Sequence, residues 1–229
     1  MITPLVSESD WISFLQHRRT CEAFGSLVLV VVPHPDDETL STGGLIAALR
    51  TRGTDVLIVA VTDGENAYEN SSELGVRRQA EQAAALSVLG VNQENTIRLG
   101  LPDSDVAAHE QELVDRLLQL VSADTHILAP WVGDFHPDHE ACGRAAATVA
   151  HLTGARITFY FFWMWHRGTL LSLEGDKLSI FPLDQALMQK KARALQCHES
   201  QLNHPSGEPI LRQRILAPAR RPFEVFLTT

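Results

Sequence analysis

The chain has 229 residues, 45% of them hydrophobic and 21% charged, with a formal net charge of -9 and a pI near 5.5. Such values suit a soluble globular protein with room for one substantial domain. The acidic balance argues against a nucleic-acid partner, which calls for a basic patch; Arg220-Arg221 is a small local exception.

From the N-terminus, Met1–Asp10 lacks a basic stretch, so no secretory signal is expected. Leu27–Val32 is a short, continuous apolar run, the pattern of a strand buried on both faces. Gly43–Arg52 places Leu45, Ile46 and Leu49 at helical spacing, and Gly53 stops the helix. Asp55–Thr62 predicts a second strand. Ser72–Leu89, rich in Ala, Gln, Arg and Glu, predicts a long helix closed by Gly90. Asn95–Leu99, Thr125–Pro130 and Arg156–Trp163 predict further strands, with helices over Ala107–Ser122 and Glu140–Leu152 between them. Beyond these, Leu170–Leu183 alternates weakly around Gly175-Asp176 and reads as a hairpin. Asp184–His198 reads as a helix and Pro222–Leu227 as a last strand.

This alternation predicts an α/β fold: a single-domain, Rossmann-like, mainly parallel sheet with helices on both faces. No linker composition interrupts it, so residues 1–229 are expected to form one domain. The apolar runs Leu27–Val32 and Ile157–Trp165 are too short for a membrane span. Cys21, Cys142 and Cys197 are widely spaced with no CxxC, which predicts free thiols in a reducing compartment and hence a cytoplasmic protein.

Two clusters carry the chemistry. Pro33-His34-Pro35-Asp36-Asp37-Glu38 directly follows one predicted strand, and His136-Pro137-Asp138-His139 shortly follows another. Thr62-Asp63-Gly64-Glu65 and Leu101-Pro102-Asp103 also fall at predicted strand ends, where open parallel sheets bind ligands. His34 and Asp37, three apart, can bend onto one ion, and His139 can supply a third ligand. Three protein ligands with an open position is a catalytic rather than a structural pattern. Asp36, next to a ligand but not needed as one, is the natural general base. His136 remains as an imidazolium to stabilise an oxyanion or protonate a leaving amine, with Asp138 holding it. Taken alone, an Asp-Asp-Glu run is as readily a helix N-terminus with favourable acids, and a His-x-x-His is more often surface than metal. The two together at equivalent strand ends favour the metal.

These residues resemble the PIG-L (LmbE-like) deacetylases, zinc-dependent N-deacetylases of N-acetylglucosaminyl lipids, thiol precursors and related amides. Thr62–Glu65, Arg78-x-x-Glu81 with Leu89-Gly90-Val91, Leu99–Asp103, and Lys191–His198 with Ser200-Gln201 extend the resemblance over most of the chain. It implies zinc on His34, Asp37 and His139, with ferrous iron the alternative in the cell. It also implies Asp36 as base, His136 as the second catalytic histidine and Arg78 as the substrate-binding arginine, Arg77 being the adjacent candidate. Some members carry an oxyanion-stabilising tyrosine two residues before His136; here that position is Asp134.

The expected reaction is removal of an N-acyl group, N-acetyl above all, from a small amino-sugar-like amide. Glu38 and Asp103 are candidates for sugar hydroxyls, and Trp163, Trp165 and His166 for contacts with a sugar ring. Rival readings are a metal-dependent phosphoesterase and a non-catalytic binding module on the same fold. A dinucleotide enzyme is disfavoured, because the first strand leads into prolines and carboxylates rather than Gly-x-Gly-x-x-Gly. Homo-oligomerisation stays open.

Overall fold

The computed structural model describes residues 3–21, 24–68, 73–175, 177–203 and 207–228. In chain order the elements are α1 (Glu8–Leu15), β1 (Arg19–Thr20), β2 (Leu27–Val32), α2 (Asp37–Thr51), β3 (Asp55–Ala60), α3 (Leu74–Leu89), β4 (Thr96–Arg98) and α4 (Glu110–Leu118). Then come β5 (Thr125–Pro130), α5 (Pro137–Thr153), β6 (Arg156–Tyr160), α6 (Met164–Arg167), β7 (Leu178–Pro182), α7 (Gln185–Gln196), α8 (Glu199–Leu202) and β8 (Phe223–Thr228).

The eight described strands form one sheet in the order β1-β7-β8-β6-β5-β2-β3-β4. Pairing is parallel except around β8, which runs antiparallel to both β6 and β7. The expected mainly parallel sheet is therefore present. The continuous apolar run of β2 follows from burial on both faces. Val28, Val30 and Val32 pack with Leu45, Ile46 and Leu49 of α2 and Leu86 and Leu89 of α3. Leu29 and Val31 pack on the other side with Leu113 and Leu117 of α4 and Val149 of α5. No helix among the described residues is long and apolar enough to cross a membrane.

The tail differs from the expected pattern. Leu170–Leu183 is not a hairpin: Leu170–Leu173 is a 3-10 turn, and β7 pairs with β1 and β8 instead. Weak alternation marked the strand but carried no information on its distant partners. Ser72 and Asp176 lie outside the described residues. The predicted helix Ala107–Ser122 is a 3-10 turn at Val106–His109 followed by the shorter α4. Helix α1 had no expectation; it is capped by Ser7 and docked by Trp11 and Leu15, both buried.

A buried carboxylate ties the tail to the first helix. Glu224 of β8 accepts hydrogen bonds from Gly44 N and Leu45 N of α2 and pairs with Lys191 of α7 at 2.6 Å. With both charges buried, the pair needs those extra donors to offset desolvation.

His126, on β5, gives the fold a pH dependence. Its Nε2 lies 2.8 Å from Thr158 Oγ1, and its ring stacks on Phe24. Burial, and to a lesser degree Arg156, push its pKa down to about 4. The fold thus holds the neutral ring. Its contribution is complete above about pH 6.5, the unfolded value, and is lost as pH falls towards 4, because the unfolded chain takes up the proton more readily. The difference corresponds to about 3 kcal/mol. Unfolding midpoints measured from pH 7 to 4 should fall, and His126→Gln, which can keep the bond to Thr158, should flatten the slope. His166 and His198, also buried, have pKa values lowered to about 4 and about 3, so part of the slope should remain.

Candidate metal centre and catalytic cleft

Strand order decides where the site forms. From β2 the chain moves outward through α2 to β3 and β4, then crosses back to place β5 on the other flank of β2. The carboxyl ends of β2 and β5 therefore border the topological switch point, where open α/β sheets bind ligands. The first cluster follows β2 and the second follows β5. Backbone strain marks the same place. Among the described residues, the non-glycine positions with positive φ are Asp36 (140°), Ser104 (70°) and Phe135 (59°), one in each of the loops after β2, β4 and β5. Such conformations cost free energy and gather at functional sites.

Asp37 Oδ2 is the centre of convergence. It lies 3.3 Å from His34 Nδ1 and 3.2 Å from His139 Nε2, and it accepts a hydrogen bond from His34 N at 3.0 Å. His139 is fully buried, and its Nε2 has no hydrogen-bond partner. Ligand atoms 2.0–2.1 Å from a tetrahedral ion lie roughly 3.3 Å from one another. The observed spacing and the orphaned nitrogen fit a cation on His34, Asp37 and His139. His34, His136 and Asp138 form a second, overlapping set. The first set is the better one, because the oxygens of Asp138 already accept from Ser104 N at 2.8 Å and Val106 N at 3.2 Å.

The far nitrogens of both ligand histidines face carboxylates, an arrangement that fixes ring orientation in metal sites. His34 Nε2 is 3.1 Å from Asp138 Oδ2 and 3.2 Å from Asp103 Oδ1. His139 Nδ1 is 2.8 Å from Asp134 Oδ2. Burial disfavours the imidazolium of His139, but Asp37 and Asp134 outweigh it and push the pKa up to about 9. At His34, burial is likewise outweighed, by Asp103, Asp138 and Asp37, and the pKa rises well above its usual value. Burial acts to raise the pKa of Asp37, yet the two histidines hold it well below the carboxylate range. Protons and a divalent ion thus compete for the same nitrogens.

Asp36 is 6% exposed at the cleft floor. Burial pushes its carboxyl well above the usual range, against the pull of Arg78. The Arg78 guanidinium, itself buried, donates to Gly64 O, to Pro35 O at 2.9 Å and to Asp36 Oδ2 at 3.2 Å. Arg78 therefore positions the acid, and most of its donors are already engaged. Gly64 has φ +62°, and any Cβ there would strike the Arg78 guanidinium.

The structure revises several expected roles. Asp138 makes no hydrogen bond to His136; it holds His34 and the loop after β4. His136 stacks on Trp163, with ring centroids 5.6 Å apart and planes 19° apart, and its Nδ1 is buried without a partner. Burial, then His139 and His34, push its pKa down to about 3, so the resting ring is neutral rather than an imidazolium. Glu38 is fully buried beneath the cleft, bonded to Thr39 and Gln82, and out of reach of a sugar hydroxyl. Asp103 lines the cleft, but it is engaged by Asn66 N and His34. Trp165 packs edge-on against Trp11 in the core, and His166 is buried with no partner for either ring nitrogen. Neither faces the cleft, whereas Trp163 does.

The open cleft is walled by Asn66, Ser104, Trp163, Gln201, Ile210 and Leu211 above the acids and histidines. Ser104 and Asn66 carry no motif that marks them as cleft residues. Asp134 stands where some family members carry a tyrosine, and its signal in the sequence is an acidic residue two places before His136.

The family described as PIG-L: GlcNAc-PI de-N-acetylase matches residues 29–150. The 1D-myo-inositol 2-acetamido-2-deoxy-alpha-D-glucopyranoside deacetylase of Mycobacterium sp. (strain KMS) is 32% identical over 183 residues, 67% of this chain and 58% of that protein. The probable N-acetyl-alpha-D-glucosaminyl L-malate deacetylase 2 of Bacillus subtilis (strain 168) is 31% identical over 129 residues, 52% of this chain and 58% of that protein. The chain thus spans well under two thirds of the length of these relatives. The solved N,N'-diacetylchitobiose deacetylase from Pyrococcus horikoshii shares the fold, with a TM-score of 0.59 and 24% identity over 79% of this chain and 72% of that one.

Proposed function

Because the chain belongs to the PIG-L family, we propose that it is a metal-dependent N-deacetylase of a small N-acetyl amino-sugar compound. The observation that carries this reading is the convergence of His34 Nδ1, Asp37 Oδ2 and His139 Nε2 beside Asp36 on one cleft floor. His34, Asp37 and His139 would hold a divalent ion, zinc by the chemistry of the ligand set, which would supply Lewis acidity and lower the pKa of water.

The chain's own residues do the rest. Asp36 takes the proton of the attacking water and later returns it to the departing nitrogen, so that amide and water become amine and acetate. Arg78 keeps the Asp36 carboxylate turned to the cleft floor. His136 lines the cleft as a neutral ring, able to donate one N–H to the oxyanion. Cys21, Cys142 and Cys197 are all unpaired, which supports a cytoplasmic setting.

The test is amine release from N-acetylglucosaminyl inositol, N-acetylglucosaminyl malate and N,N'-diacetylchitobiose, with zinc- and iron-loaded protein compared. Metal-stimulated release from at least one is expected. Absence of release from all three, with hydrolysis of phosphate esters instead, would overturn the reading.

A further inference from the structure

Asp134 is fully buried, in the loop between β5 and α5. Its Oδ2 lies 2.8 Å from His139 Nδ1 and accepts from Trp163 N at 3.1 Å. Its Oδ1 accepts from Phe162 N and Met164 N, both at 3.0 Å, and Phe162 N also reaches Oδ2 at 3.2 Å. A carboxylate here can only accept, so the Nδ1 of a neutral His139 carries the proton and its Nε2 keeps a free lone pair towards Asp37. The same carboxylate grips the segment that builds one wall of the cleft. Phe162 and Trp163 line that wall, and Trp163 stacks on His136.

We propose that Asp134 is a positioning residue: it sets the His139 tautomer required for metal ligation and ties that ligand to the aromatic wall, so that metal binding and the shape of the cleft are coupled. This rests on His139 being a ligand, as in the function proposed above.

An amide cannot replace the carboxylate. In Asp134→Asn, an oxygen at the Oδ2 place would turn the NH2 against Met164 N and loosen the wall at that residue, while Phe162 N keeps its second acceptor at 3.2 Å. The opposite flip keeps Phe162 N and Met164 N on the oxygen and turns the NH2 against Trp163 N and His139. In that flip the NH2 donates to His139 Nδ1, the ring proton moves to Nε2, and the metal-binding lone pair is lost.

The experiment measures zinc affinity of Asp134→Asn and wild-type protein by competition with a chromogenic chelator, with circular dichroism to confirm folding. A 10–100-fold weaker affinity is expected, as for other outer partners of metal-binding histidines. An unchanged affinity, within about twofold, in folded variant would overturn the proposal. Should the variant not fold, nuclear magnetic resonance of the wild type decides. Zinc should leave His139 with a slowly exchanging Nδ1 proton and should shift the Met164 amide. An unprotonated Nδ1 in the zinc-loaded protein, or a Met164 amide that does not move, would overturn it. Zinc retention by His139→Ala would instead overturn the functional reading itself, so the two failures are distinguishable.

Discussion

Asp36→Asn should lower turnover by about 10²–10⁴-fold, the range for loss of a general base, while metal content stays near wild type. Asparagine preserves the shape and can still accept the Arg78 hydrogen bond seen at 3.2 Å. It also tolerates unusual backbone better than most residues, which matters at φ 140°. What it cannot do is take a proton from water. Metal content by mass spectrometry and turnover by amine release separate the two effects. Turnover within a few-fold of wild type, with metal intact, would remove Asp36 from the role. Asp138 would not be an obvious substitute, because its oxygens are engaged by Ser104 N, Val106 N and His34.

His34→Ala and His139→Ala should lose metal and activity together. The expected drop in affinity exceeds the 10–100-fold typical of removing an outer-shell partner, because each change deletes a ligand atom. His139→Ala carries a second penalty: it leaves the buried Asp37 and Asp134 without their shared partner, which costs about 3–5 kcal/mol for a broken buried pair. Metal uptake should also depend on pH. With the pKa of His139 pushed up to about 9 in the metal-free protein, a cation entering at pH 7 must displace its proton. Affinity should rise as pH rises towards 9, and zinc addition at pH 7 should release protons measurable in weak buffer. Full metal retention in both alanine variants would remove these histidines from the centre.

The sequence alone determined the scaffold and the ingredients of the site. The continuous, β-branched run Leu27–Val32 has the pattern of a strand covered on both faces, and both faces are buried. Thr125–Pro130 followed the same logic with the same bounds. Once the alternation implied a parallel sheet, strand ends had to carry the site, and His34, Asp36, Asp37, His136 and His139 meet there. Periodicity and loop position are local properties, so they are legible in order along the chain.

The partner of each buried polar group was decided only by the tertiary structure. Asp138 is two residues from His136, yet it bonds to His34 and to the loop after β4, because α5 turns its first residues towards β2. Glu38 shares the loop cluster with Asp36 but points beneath the floor, where Thr39 and Gln82 satisfy it. Asp134 gained its neighbours only when β6 ended beside β5 and delivered the Phe162–Met164 amides. Strand β8 reversed direction because the last segment returns between β6 and β7, which lie far from it in sequence. The physical reason is common to all four. A buried donor or acceptor must be satisfied by whatever the packed fold brings within about 3 Å, and that neighbour is chosen by the crossing of distant segments rather than by the residues adjacent in the chain.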